Sequence, residues 1–223
     1  MVVCLASKDI AMNYYQEITL LPDAEISLSF IWQKVFQQVH IALVENKVAP
    51  NQSEIAVGFP EYQQAGFPLG NKLRLFAKDK VTLEKLAITQ WLAKLEDYAH
   101  IKAIKPVPSE VTYVSFIRKN VKSPERIERD MRQKARLWAA KTDKRLEDCL
   151  AELAKNKPNA QCNLPFIYLY SQRTKQRLPN KSSRFPLFIK AHELHIEQTG
   201  FFDCYGLSSK ENNQGSFSTV PHF

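Results

Sequence analysis

Asn13-Tyr-Tyr-Gln-Glu-Ile-Thr-Leu20 leads, after a short loop, into Ser27-Leu-Ser-Phe-Ile-Trp-Gln-Lys-Val-Phe-Gln-Gln-Val-His-Ile-Ala-Leu-Val-Glu-Asn-Lys47. The first stretch is rich in β-formers and predicts a strand. The second places Ile31, Val35, Val39 and Leu43 four residues apart, which predicts a helix with one apolar face. Ile55 to Phe59 and Leu73 to Ala77 read as two short strands joined by a loop containing Pro and Gly. Leu83 to Tyr98 reads as a second amphipathic helix with Thr82 as its cap, and His100 to Lys105 as a fourth strand ended by Pro106 and Pro108. The order β-α-β-β-α-β is that of the ferredoxin-like arrangement, so the class expected is α+β.

Pro106-Val-Pro108 is the natural boundary, giving a ferredoxin-like domain over 12–107 and a smaller α/β domain over 108–223. The charge changes at the same place. Residues 1–107 hold 11 basic and 11 acidic residues; residues 108–223 hold 20 and 12 and carry the whole net charge of +8. Within Arg118 to Arg184 there are 18 basic and 7 acidic residues. Charge concentrated in one half of a chain of pI near 9.3 points to a polyanion, nucleic acid above all.

The second half opens with a strand, Val111 to Ile117. Ser123-Pro-Glu125 then supplies a serine cap, a proline at the first helical position and an acid in the first turn. The helix is expected over about 124–140, with a second from Thr142 to Lys155. Advancing about 100° per residue puts Arg126, Arg129, Arg132, Gln133 and Arg136 on one face and Ile127, Met131, Ala135 and Trp138 on the other. Guanidinium groups suit phosphate and guanine contacts better than ammonium groups do. Phe166 to Tyr170, Pro186 to Ile189 and Leu194 to Gln198 read as strands, the first two separated by a basic insertion from Arg173 to Arg184.

Other chemistries find little support. The chain of 223 residues is 44% hydrophobic and 24% charged, a balance that buries a core. Only 6 glycines occur, with no glycine-rich phosphate loop and no Gly-x-Ser-x-Gly elbow. His192 and His195 lie three apart in an expected strand and would face opposite ways, so no metal or cofactor is expected. Cysteines 4, 149, 162 and 204 form no close pair; with no leader or membrane span in view, a cytoplasmic protein is expected. His40, one turn after Phe36, is the side chain best suited to exchange a proton near neutrality, although such a histidine also fits simple packing. Sequence physics alone stops at a basic, two-part RNA-binding protein or metal-free ribonuclease.

Several segments together resemble a known family. Met12-Asn-Tyr-Tyr-Gln-Glu-Ile-Thr-Leu-Leu-Pro-Asp23, Val35-Phe-Gln-Gln-Val-His40-Ile-Ala-Leu-Val44, Ile55-Ala-Val-Gly-Phe-Pro60 and Lys122-Ser-Pro-Glu-Arg126 are similar to segments of the type I-F CRISPR precursor-RNA endoribonucleases. Leu164-Pro-Phe-Ile-Tyr-Leu-Tyr-Ser171-Gln172, Arg184-Phe185-Pro-Leu-Phe-Ile189, Phe202-Asp-Cys-Tyr205-Gly-Leu-Ser208 and Val220-Pro-His-Phe223 complete the ordered set.

The resemblance implies metal-independent cleavage of a CRISPR repeat hairpin at its base, by attack of the upstream 2′-hydroxyl on the adjacent phosphate. The products would be a 2′,3′-cyclic phosphate and a 5′-hydroxyl. It implies that His40 moves the 2′-hydroxyl proton, that Ser171 holds the ribose, that Tyr205 positions histidine or substrate, and that Phe185 stacks under the last base pair. Arg118 and Asn120 would read bases next to the cut, with Arg126, Arg129, Arg132, Gln133 and Arg136 on the stem. It further implies a protein that acts as a monomer on RNA, keeps its crRNA product and joins the other subunits of the type I-F interference complex. A non-catalytic RNA-binding subunit of that complex and a DNA-binding protein of a mobile element are the rival readings.

Departures from the family pattern are Asp130 and Gln133 in place of arginines and Arg173 in place of a second serine. The basic insertion adds Lys175, Arg177 and Lys181 as candidate stem or partner contacts, and residues 1–11 precede the family's usual start.

Overall fold

A computed structural model of the chain describes residues 11–64, 66–157, 162–177, 182–209 and 216–223. Most of the 1–11 extension and Lys181 therefore lie outside the described residues. By their contacts the residues form two compact units, one from 1–119 together with 165–223, the other from 120–164.

In the first unit, β1 (Tyr14–Leu20) is followed by α1 (Leu28–Glu45), β2 (Ala56–Gly58) and β3 (Lys72–Ala77). Then come α2 (Lys80–Leu86), α3 (Ile88–Trp91), a 3-10 turn (Ala93–Leu95), β4 (Ala99–Ile101) and β5 (Lys105–Pro106). The strands run in the order β2-β3-β1-β4, antiparallel throughout, with β5 also on β1. This is consistent with the ferredoxin-like arrangement expected from the pattern. The α1 stripe is buried as expected, with Ile31 3% exposed and Val35, Val39 and Leu43 fully covered.

The second helix departs from expectation. It starts earlier, capped by Asp79, whose carboxylate accepts the Thr82 N–H at 2.8 Å. Thr82 is thus the donor at this end and not the cap, because a carboxylate placed before the first turn is the better acceptor. The helix also breaks at Ala87, which sits at φ 48° and divides it into α2 and α3.

A second sheet, in the order β7-β8-β6-β9, belongs to the same unit: β6 (Thr112–Lys119), β7 (Phe166–Tyr170), β8 (Arg184–Leu194) and β9 (Val220–His222). The strand expected over Pro186 to Ile189 is longer than read: β8 pairs to β6 from Leu194 to Phe188 and to β7 from Phe188 to Arg184. Of the strand expected over Leu194 to Gln198 only Leu194 is strand, as the last residue of β8; the ladder partner β6 ends its pairing with β8 at Tyr113, opposite Leu194. His192 accordingly lies on β8 and His195 beyond it, with the His192 ring stacked 5.8 Å from that of Phe217.

Both sheets share one hydrophobic core. Phe59 after β2 meets Phe116 of β6 edge-on at 5.1 Å, and the Tyr62 hydroxyl donates to the Ile189 carbonyl at 2.9 Å. The proline-marked boundary at 107/108 therefore lies within this unit, where Val107 N–H donates back to Asn13 O at 2.8 Å.

The unit of 120–164 is a helical pair, α4 (Pro124–Thr142) and α5 (Leu146–Lys155). The Ser123 hydroxyl accepts the Arg126 N–H, Pro124 opens the helix, and Asp143 at φ 55° ends it. Ile127, Ala135 and Cys149 are buried, whereas Arg126, Arg129, Arg132, Gln133 and Arg136 are exposed. The opposed faces expected from the angular count are both present.

Candidate active site

His40 reaches its position because α1 buries its apolar stripe and leaves the adjoining flank half covered. Its Nδ1 lies 2.8 Å from the Cys204 carbonyl. A carbonyl only accepts, so Nδ1 carries the proton and Nε2 of the neutral ring keeps its lone pair. Burial pushes the imidazole below its usual 6.5, with the Arg118 guanidinium acting the same way against the raising effect of the Cys204 carbonyl. The ring lies nearly parallel to Tyr205, 4.2 Å between centroids and 11° between planes.

The loop that supplies both neighbours is tightly closed. Asp203 Oδ1 accepts the N–H groups of Tyr205 at 2.8 Å and Leu207 at 3.0 Å. Asp203 N–H donates to Leu207 O, Gly206 N–H to Asp203 O, and Val57 N–H of β2 to Gly206 O, each at 2.8 Å. Gly206 holds φ 72°, and a Cβ there would sit 2.4 Å from the Val57 side chain. Glycine is required on both counts. Burial raises the Asp203 carboxyl to about 6 despite the two N–H donors and Arg118.

Ser171 follows β7 and opens the short helix α6 (Gln172–Arg177). Its Oγ accepts from Thr174 N–H at 3.2 Å and from the Thr174 hydroxyl at 3.0 Å, which leaves the serine O–H as a donor. Phe185 of β8 stands opposite Leu169 of β7. The Arg118 guanidinium, near the end of β6, lies 5.8 Å from the Phe185 ring and 5.4 Å from the Tyr205 ring. A cleft of about 510 Å³ brings His40, Ser171, Phe185 and Tyr205 together, along with Gln37 and Lys47.

Sequence reasoning missed three contributors: the Cys204 carbonyl, the Asp203 loop closure, and Gln37, whose Oε1 accepts the Tyr170 N–H at 2.8 Å. A carbonyl has no residue signature; Gly206 was the available hint of a tight loop. Arg129, Arg132, Gln133 and Arg136 line a separate hollow of about 740 Å³ along α4, within the unit of 120–164, to which Asn120 and Arg126 also belong. Asp130, where the family pattern has arginine, is paired with Lys122 at 2.7 Å. Among the described residues no group of three or more His, Cys, Asp or Glu is arranged to hold a metal, and no helix is long and apolar enough to cross a membrane.

The cleft thus holds a half-buried imidazole beside a serine hydroxyl and two aromatic rings, on a basic chain that also bears an arginine-faced helix. The family model described as CRISPR-associated protein (Cas_Csy4) matches residues 15–223. A CRISPR-associated endonuclease Cas6/Csy4 of Pseudomonas aeruginosa (strain UCBPP-PA14) is 32% identical over 199 residues, which is 88% of this chain and 96% of that protein. Another of the same description, from Escherichia coli (strain UTI89 / UPEC), is 30% identical over 95% of this chain and 100% of its own length. The chain belongs to the Cas_Csy4 family of type I-F repeat-processing nucleases. A solved structure described as an RAMP protein binding different RNA substrates is similar at 10% identity and a TM-score of 0.35, over 94% of this chain and 100% of that one, a likeness too loose to define the fold.

Proposed function

We propose that this protein is the endoribonuclease that cuts a CRISPR repeat hairpin in precursor crRNA, without a metal ion, by 2′-hydroxyl attack. The observation that carries the reading is the state of His40: Nδ1–H committed to the Cys204 carbonyl and burial favouring the neutral ring, so that Nε2 is a base at pH 7. In this reading Nε2 takes the 2′-hydroxyl proton, the 2′-oxygen bonds to phosphorus, and the bond to the 5′-oxygen breaks. The products are a 2′,3′-cyclic phosphate and, after protonation, a 5′-hydroxyl. A placed base contributes about 10² to 10⁴ in rate, and in-line alignment of the hydroxyl contributes a larger orientation effect.

Ser171 O–H donates to the ribose or phosphate oxygen, and Tyr205 fixes the plane of the imidazole. Phe185 stacks under the closing base pair, and Arg118 and Asn120 read the bases beside the cut. Residues 12–107 thus supply the base, and residues 108–223 supply the ribose contact and the basic helix that holds the stem. The deep groove of A-form RNA excludes ordinary side-chain readout, but a short stem with an open end admits a helix. About six phosphate contacts would give a log K against log salt slope of −4 to −5, enough for a product that leaves slowly. Retention suits a subunit that stays on the crRNA in the cytoplasmic interference complex, one copy per RNA.

The test is His40→Ala with a repeat hairpin under single-turnover conditions. Cleavage should fall by about 10² to 10⁴ while hairpin affinity changes little. Cleavage at near wild-type rate would mark the protein as an RNA-binding subunit with a structural histidine. Full activity in excess EDTA and a cyclic-phosphate end group are the companion expectations, and equal affinity for the same hairpin in DNA would favour the DNA-binding reading.

A further inference from the structure

Cutting RNA by 2′-hydroxyl attack moves two protons, one off the attacking oxygen and one onto the departing 5′-oxygen. In the reaction proposed above His40 serves the first, with Nε2 as base and Nδ1–H held by the Cys204 carbonyl. In-line attack sets the entering and leaving oxygens on opposite sides of phosphorus, so a ring placed beside one is turned from the other. The second proton needs a donor elsewhere in the cleft.

Among the described residues, Lys47 is the one lysine or arginine that lines this cleft. It stands seven positions after His40 and two residues past the end of α1. Its loop is braced against the loop that holds the imidazole: Val48 N–H donates to Gln52 O at 3.1 Å, and Ser53 N–H to Phe202 O at 2.9 Å. The ammonium lies within electrostatic reach of Cys204, where it opposes the rise that burial imposes on the thiol. Lys47 is exposed and forms no ion pair among the described residues. An unpaired ammonium offers three N–H donors to an incoming anion. The other groups suit the task less. Burial raises the Cys204 thiol and the Tyr205 phenol, so both hold their protons more tightly than usual. The Ser171 hydroxyl is a far weaker acid than an ammonium, and an ionised Glu45 only accepts. The Arg118 guanidinium stands 5.4 Å from the Tyr205 ring, but arginine does not give up a proton.

We propose that Lys47 is a second catalytic residue, the proton donor to the leaving 5′-oxygen. As the bond from phosphorus to the 5′-oxygen breaks, the freed electron pair takes a proton from Nζ, and the neutral amine regains one from water. The proton removed from the 2′-hydroxyl stays on Nε2 until water takes it, so protons and charge balance over the cycle. Before the transfer the ammonium offsets the negative charge that gathers on the phosphate oxygens. This rests on the ribonuclease reading above and adds an acid to its base.

The test uses the repeat hairpin in two forms, one with the natural oxygen at the cut and one with sulfur in place of the 5′-oxygen. A thiolate leaves without a proton, since a thiol ionises near about pH 8.5. With the oxygen linkage, Lys47→Ala should lower the single-turnover rate by about 10² or more, within the range of a placed acid. Lys47→Arg keeps the charge but has no proton to release, and it should lose nearly as much. With the sulfur linkage both variants should cut within a few-fold of the wild type, whereas His40→Ala should stay slow on both forms. Lys47→Arg should bind the uncleavable 2′-deoxy hairpin as the wild type does.

A Lys47→Ala loss of equal size on oxygen and sulfur overturns the proposal, as does near wild-type cleavage of the oxygen form by Lys47→Ala or by Lys47→Arg. Full rescue by arginine would reduce Lys47 to a charge that steadies the phosphate. Each of these results leaves the ribonuclease reading standing. Wild-type protein that cuts neither form, or His40→Ala that cuts the oxygen form at the wild-type rate, defeats that reading and the role of Lys47 with it.

Discussion

His40 and Tyr205 stack with their ring planes 11° apart and centroids at 4.2 Å, although 165 positions separate them in the chain. The same loop turns the Cys204 carbonyl onto Nδ1. One loop thereby fixes the tautomer, tilt and burial of one imidazole. The stack needs a ring but not the hydroxyl. Tyr205→Phe should keep cleavage within a few-fold of the wild type, whereas Tyr205→Leu should lower the single-turnover rate by about tenfold or more, since a misplaced base loses much of its 10² to 10⁴ contribution. Equal losses in the two variants would move the role from ring to hydroxyl.

Burial depresses the His40 pKa below 6.5, and in the proposed mechanism the neutral form is the base. The single-turnover rate should rise with pH along a limb whose midpoint lies below 6.5 and should be flat from about pH 7 to 8. A rate that falls as pH rises through that limb would make the imidazolium the active form.

Asp203 behaves oppositely. Its carboxyl is raised from 3.8 to about 6, so between those values the folded state binds more protons than the unfolded one. Its contribution to stability is full below pH 3.8 and is lost as pH rises through 6, by about 3 kcal/mol for a shift of this size. Asp203→Asn keeps an oxygen to accept the Tyr205 and Leu207 N–H groups and removes the titration. Relative to wild type, the variant should gain stability between pH 4 and pH 8, read from urea midpoints at the two pH values; a constant difference would show that the carboxyl is not raised.

Gly206→Ala meets two obstacles, a φ of 72° and the Val57 side chain 2.4 Å from the new Cβ. The left-handed conformation alone costs about 1 to 2 kcal/mol, and the overlap adds to it. Unfolding midpoints should drop accordingly, and cleavage should fall further than stability explains, because the displaced loop carries both neighbours of His40. Wild-type cleavage in a folded Gly206→Ala protein would show that the loop geometry is not needed.

On α4, Arg129→Ala/Arg132→Ala should weaken hairpin binding and lower the salt slope by about 0.7 to 0.9 for each lost phosphate contact. The single-turnover rate at saturating protein should change little. An unchanged slope would remove this face from the RNA.

Local signals were legible where short-range physics decides. Ser123-Pro124 opens α4 as read, and the four-residue stripe of α1 is buried as read. Around Thr82 the stronger acceptor, Asp79, took the cap, and at Ala87 the backbone turned left-handed where residue preference alone would continue the helix. From Pro186 onward, strand preference could not place the end of β8 at Leu194, since the extent of that strand is set by its partners β6 and β7. The three-residue β9 is legible only through its pairing with Thr112 to Val114.

The amino-acid order by itself determined the β-α-β-β-α-β succession, the segregation of charge into the second half and the two-faced helix at Pro124, because each depends on neighbours within a turn or a strand. The tertiary structure alone decided what surrounds His40. Its tautomer, its lowered pKa and its stacking partner come from a carbonyl, a ring and a guanidinium more than 75 residues away. Only folding brings such groups within hydrogen-bonding and desolvating range, where they set the proton affinity of the ring.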